Sequence, residues 1–203
     1  MEPFRFATCC INFIEVDLND LAECISSIEN LIEQKLTNSL SYSEQQYPNT
    51  IRGAFFMSCY SQMETYLNSV CRNCQLDQKL KISYEDMAQQ GISRAMLYFE
   101  KALGLNFPSN ANWLKIQQYR QLRNIVVHNG GCVKPSELKK VKRILLNIPY
   151  FNLSTLNSLN FEREFCLEFI NVQIELLREI FVVLNEYSIE VKDECYDGDW
   201  NDD

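Results

Sequence analysis

The chain has 203 residues, 46% apolar and 12% aromatic, with 6 glycines and 5 prolines. That composition is too rich in core-forming residues for a disordered chain and too poor in turn residues for a β-sandwich or barrel. No apolar run reaches bilayer length and no basic-then-apolar leader opens the sequence, so a membrane span or secretory signal is not expected and a cytoplasmic location is.

The net charge of −8 is unevenly spread. Residues 188–203 hold seven acids and one lysine, net −6, leaving only −2 for the other 187. Residues 111–147 hold eight bases against the single acid Glu137, net +7. A concentrated basic stretch of this kind is the footprint of a phosphate-bearing partner. Nine cysteines cannot all pair within one chain. Cys24, Cys59 and Cys166 fall in helical patterns, where reduced thiols act as small hydrophobes. Cys71-x-x-Cys74 lacks a second Cys/His pair at zinc-finger spacing, so no metal and no cofactor are expected.

Residues 1–16 show no clean period and remain unplaced. From Asp17, which is suited to cap a helix, Leu18, Leu21, Ile25, Ile28, Ile32 and Leu36 recur at three- and four-residue steps and predict a first helix. Residues 37–48, polar and ending in Pro48, read as a loop. A second helix follows from about Thr50 to Cys74, with Ala54, Phe55, Tyr60, Met63, Leu67, Val70 and Cys71 inward and Glu64 between its two faces. Ser93 caps a short helix that Gly104 stops. A fourth, from about Trp113 to His128, buries Ile116, Tyr119, Leu122, Ile125 and Val126 and ends at Asn129-Gly130-Gly131. Pro135-Ser136 opens a basic fifth helix with Leu138, Val141, Ile144 and Leu145 inward, residues 152–160 read as a loop, and Phe161 through Tyr187 form the longest stripe. The expected fold is all-α, an antiparallel bundle of five to six helices in one domain over residues 1–187, followed by a disordered acidic tail.

The only histidine, His128, lies five residues after Arg123. Five helical residues amount to about 140° beyond one turn and a rise of about 7.5 Å, so the two do not share a face of a regular helix. Asn124, four residues before His128, does share its face and is suited to orient the imidazole. Either the glycines let the last turn unwind and swing the ring towards Arg123, or two copies of the chain each supply part of one site. Histidine transfers protons near neutral pH, and arginine stays charged and forks onto phosphate oxygens. A plainer account is that His128 caps the helix C-terminus, worth about 0.3–1 kcal/mol, and that Arg123 pairs with a surface carboxylate.

The string Arg123–Gly131 resembles the R-x4–6-H signature of HEPN domains, an all-helical family rich in metal-independent ribonucleases. The segment Ile51–Cys74 is similar to the long HEPN helix with a glutamate at its middle, here Glu64, and the likeness in helix pattern extends over residues 17–187. The resemblance implies a homodimeric endoribonuclease of toxin–antitoxin or phage-defence type, with paired motifs facing across a two-fold axis and cyclic phosphate and 5′-hydroxyl products. Arg123 would bind phosphate and His128 transfer protons, supported by Asn124, Asn129 and Glu64. Arg120, Lys134, Lys139, Lys140, Lys142 and Arg143 would bind the RNA backbone, and an antitoxin or defence-system partner is implied. Gly130 departs from the subgroup silenced by a nucleotidyltransferase, which has tyrosine there, so that control is not expected. The alternative is a HEPN-type dimer that binds RNA or nucleotide, or scaffolds a larger defence complex, without cutting, its acidic tail lying over the basic patch.

Overall fold

The computed structural model describes residues 4–36, 42–105 and 111–196. Helix makes up 74% of the described residues, which form six α-helices and one two-stranded sheet. The fold is an all-α helical bundle. In order, these are α1 (Arg5–Leu36), α2 (Tyr42–Asp77), a 3-10 turn (Tyr84–Asp86), α3 (Ile92–Lys101), α4 (Ala111–Asn129), α5 (Leu138–Ile144), β1 (Phe151–Leu153), β2 (Leu159–Phe161) and α6 (Phe165–Tyr196). None of the described helices is long and apolar enough to cross a membrane. Contacts gather the chain into two compact units, one of Met1–Val16, Met63–Pro108 and Leu176–Asp203, the other of Asp17–Gln62 and Ser109–Glu175. Helices α1, α2 and α6 each contribute to both.

Several boundaries differ from the sequence reading. Residues 5–16 are helical because Phe4, Ala7, Ile11 and Ile14 form a buried stripe continuous with Leu18. The opposite face is also apolar, with Phe6 63% and Phe13 68% exposed, and two apolar faces erase a one-sided period. Asp17 therefore lies in mid-helix, exposed, and caps nothing. The cap comes from far along the chain: both carboxylate oxygens of Asp77 accept the first-turn amides of Phe6 and Ala7 at 3.0 Å. This satisfies donors that a helix start leaves without partners.

Secondly, α2 begins at Tyr42 and runs through Pro48. A proline inside a helix deletes one backbone donor; here its ring is buried and the next residue, Asn49, is anchored to β2. The part of the expected loop at 37–41 lies outside the described residues. Thirdly, the cap of α3 is Gly91, at φ 57°, and Ser93 lies within the helix. Fourthly, residues 152–160 are not a loop but most of a hairpin, with Phe151 opposite Phe161 and Leu153 opposite Leu159. Phe161 therefore belongs to a strand, and α6 starts at Phe165. At its far end α6 continues to Tyr196, into the segment expected to be disordered; residues 197–203 lie outside the described residues.

The second unit is built around Phe56, fully buried, whose ring meets those of Tyr60, Tyr119, Phe161, Phe165 and Phe169 at centroid separations of 5.1–6.4 Å. Edge-on and tilted ring pairs at these distances add to the burial of their area. In the same unit Arg52 reaches Glu29 through two bonds, Nε to Oε1 at 2.9 Å and Nη2 to Oε2 at 2.7 Å. Glu29 is only 1% exposed, so this forked pair satisfies a carboxylate that has left water. In the first unit the buried thiol of Cys71 donates to the Ala95 carbonyl, and the Tyr98 hydroxyl donates to the Ile82 carbonyl at 3.1 Å. Among the cysteines expected to fill helical cores, Cys59 and Cys166 are buried and Cys24 is exposed. Cys9, Cys10, Cys24, Cys59, Cys71, Cys74, Cys132 and Cys166 are free thiols.

Candidate functional site

Helix α4 carries the motif, and the spacing of Ile116, Tyr119, Leu122 and Ile125 fixes which side of it is buried. The helix stays regular through Asn129. It then stops because Gly130 and Gly131 take φ values of 58° and 83°, a region costly for residues with a Cβ. The Gly131 amide turns back to donate to the Ile125 carbonyl at 3.2 Å, and the Cys132 amide donates to the Asn129 carbonyl at 3.0 Å. The chain then joins the hairpin: Cys132 bridges Ser158, and the Val133 amide donates to Asn157.

The hairpin in turn is fastened to α2. Every outward backbone group of β2 at Leu159 and Phe161 is bonded. The Leu159 amide donates to Gly131, and its carbonyl accepts from the Asn49 side chain at 3.1 Å. The Phe161 amide donates to Asn49 Oδ1 at 2.7 Å, and its carbonyl accepts from Arg52 at 3.2 Å. The end of α4, the hairpin and the early part of α2 are thus one hydrogen-bonded assembly. None of this was legible in the motif itself, and Asn49 and Arg52 are residues that the sequence reading missed. Their only signal is a polar side chain on the inward side of an amphipathic helix.

Arg123 is half-buried. Its guanidinium carbon sits 5.6 Å from the centre of the Tyr60 ring, a cation–π distance. Nη1 donates to the neighbouring Asn124 Oδ1 at 3.3 Å, and Nε is buried with no hydrogen-bond partner among the described residues. No carboxylate among the described residues pairs with it; the salt bridges of this unit join Arg52 to Glu29, Lys115 to Glu168 and Arg163 to Glu33. The surface ion pair considered for Arg123 is therefore not formed here.

His128 and Asn124 are both exposed, and Asn129 is half-buried. Because α4 does not unwind before Asn129, Arg123 and His128 keep the angular offset of a regular helix, roughly 140°, within one chain. The structure brings Arg123 to Asn124 and does not converge Arg123 with His128. Lys134, Lys139, Lys140, Lys142 and Arg143 are exposed, while Arg120 is half-buried. Val141 and Ile144 are the buried residues of α5, which turns its four bases to the outside. Glu64 belongs to the other unit. Its carboxylate lies against Gly91, where a Cβ would stand 2.2 Å from Oε1 and push the carboxylate aside, and the φ of 57° at that turn favours glycine.

Beside the end of α4 is a recess of about 300 Å³ lined by Asn49, Gly53, Ala54, Met57, Gly131 and Phe161, among others. The described residues contain no cluster of three or more His, Cys, Asp or Glu side chains able to hold a metal ion. Comparison with protein-family models, with curated proteins and with solved structures finds no significant match to this chain.

Proposed function

We propose that the chain is a metal-independent endoribonuclease of HEPN type, acting in the cytoplasm on single-stranded RNA or tRNA as a toxin or phage-defence effector. The observation that carries the reading is the pair of functional groups on α4 that face no carboxylate among the described residues. A guanidinium without a carboxylate faces no competition for phosphate, and an exposed imidazole is open to substrate. Five exposed bases between Lys134 and Arg143 provide the field that draws a polyanion to the same unit.

In the reaction one imidazole accepts the 2′-hydroxyl proton, the 2′-oxygen attacks phosphorus, and the bond from phosphorus to O5′ breaks. A second imidazole returns a proton to O5′, leaving a 2′,3′-cyclic phosphate and a 5′-hydroxyl. Arg123 holds the non-bridging oxygens as charge builds on them, a task worth about 10²–10³-fold in rate. One chain has one histidine, so two copies supply the two proton-transfer groups. The same pairing brings Arg123 of one copy to His128 of the other, which the regular α4 does not do alone.

The test is cleavage of RNA by the purified full-length protein in EDTA. Activity with cyclic-phosphate ends, abolished in folded Arg123→Ala and His128→Ala variants, is expected. Activity that requires a divalent metal, or that survives both substitutions, removes the proposal. The 140° offset within one chain favours a second reading, an RNA-binding dimer that does not cut. It predicts salt-dependent RNA binding, unaltered by His128→Ala, with no products.

A further inference from the structure

We propose that the recess beside the Gly130–Gly131 turn is a nucleobase pocket, seating a base of the nucleotide next to the cleaved linkage. The inference rests on the ribonuclease reading of α4 and adds the part of the substrate that the site grips.

Three observations carry it. The first is charge. The recess is lined by Asn, Thr, Gly, Ala, Met, Val, Leu and Phe side chains, with no Lys, Arg, Asp or Glu among its lining residues. It also sits at the C-terminal end of α4, where the peptide dipoles leave partial negative charge and carbonyl acceptors. Such a recess offers phosphate no charged partner and suits a neutral ring that brings N–H donors. The second is shape. At about 300 Å³ the recess lies at the small end of ligand sites, with Phe161 and Met57 as apolar walls. Gly130 and Gly131 leave open space where other residues would project a Cβ, with nothing within 4 Å of that position. The third is position. Gly130 is two residues from His128, so their backbones are no more than about 7–8 Å apart. That is the scale of one nucleotide. Phosphate at His128, with Arg123 supplied by the second copy, and a base in the recess are then two ends of one ligand, the first held by charge and the second by apolar contact and hydrogen bonds.

The experiment uses the full-length protein and the four ribonucleosides, which have a base and no phosphate. Amide NMR signals of Gly130 and Gly131 are followed during titration, alongside a titration with inorganic phosphate. Ala54 is exposed on α2 and lines the recess, so Ala54→Trp fills it without entering the core, and Ala54→Leu fills it in part. At least one nucleoside is expected to shift both glycine signals at millimolar concentration while phosphate leaves them in place. Ala54→Trp is expected to weaken that binding at least tenfold, with Ala54→Leu between, and with the far-ultraviolet spectrum and melting temperature unchanged. If no nucleoside moves the signals, if phosphate moves them equally, or if Ala54→Trp binds as before, the pocket assignment fails. The two proposals separate cleanly: RNA cutting without a nucleoside response removes only the pocket. A nucleoside response in a protein that does not cut RNA supports the pocket and removes only the nuclease.

Discussion

Replacing Arg52 by methionine tests whether the hairpin beside α4 is held by electrostatics. The substitution leaves the Glu29 carboxylate, 1% exposed, without its two forked bonds of 2.7 and 2.9 Å. It also strips the Phe161 carbonyl of its 3.2 Å donor. Breaking a buried pair by removing one partner costs roughly 3–5 kcal/mol, because the remaining charge cannot return to water without unfolding its surroundings. For a chain of this size, about 2–4 °C of melting temperature per kcal/mol converts this to a fall of about 6–20 °C. Urea denaturation followed by circular dichroism, with a parallel thermal scan, measures it. The double variant Arg52→Met with Glu29→Leu is expected to recover most of the loss, since no charge is then stranded. Were Arg52→Met to cost less than about 1 kcal/mol, the range of exposed ion pairs, the account of this pair as a desolvated clamp would be wrong.

Three further outcomes follow from the geometry. Asp77→Ala removes the acceptor of the Phe6 and Ala7 amides and is expected to cost about 1–2 kcal/mol; hydrogen exchange should accelerate at those two amides ahead of the rest of α1. Burial pushes the Cys59 thiol up to about 12 and raises the Cys71, Cys74 and Cys166 thiols as well, so alkylation at pH 8 read by mass spectrometry should label Cys9, Cys24 and Cys132 first. Because these folded-state values lie above the unfolded ones, the four thiols contribute full stability below about pH 8.5, and that contribution declines as pH climbs from there. Arg123→Lys keeps the charge but loses the planar fork, and RNA cleavage is expected to fall about 10²-fold with melting temperature little altered.

Much of the helical plan was legible because α2, α4 and α6 each bury one side, and a single buried side writes a period into the sequence. The first turns of α1 were not, since Phe6 and Phe13 are apolar yet exposed. The hairpin was also hidden: its two strands are three residues each, too short for alternation to register, and Asn49 and Arg52 hold it from about 110 residues away in sequence. The motif was readable as residue types at a spacing. That Arg123 lies over Tyr60 was not, because a ring 63 positions earlier leaves no local trace.

The bonding of β2 bears on how two copies of this chain can meet. A strand at the margin of a sheet ordinarily offers a ladder of unused amides and carbonyls to any passing segment, and many proteins associate or aggregate through it. On the side facing away from β1, the groups at Leu159 and Phe161 are already taken by Gly131, Asn49 and Arg52. Strand addition along that margin is closed, so a twin approaching there must dock through side chains rather than by lengthening the sheet.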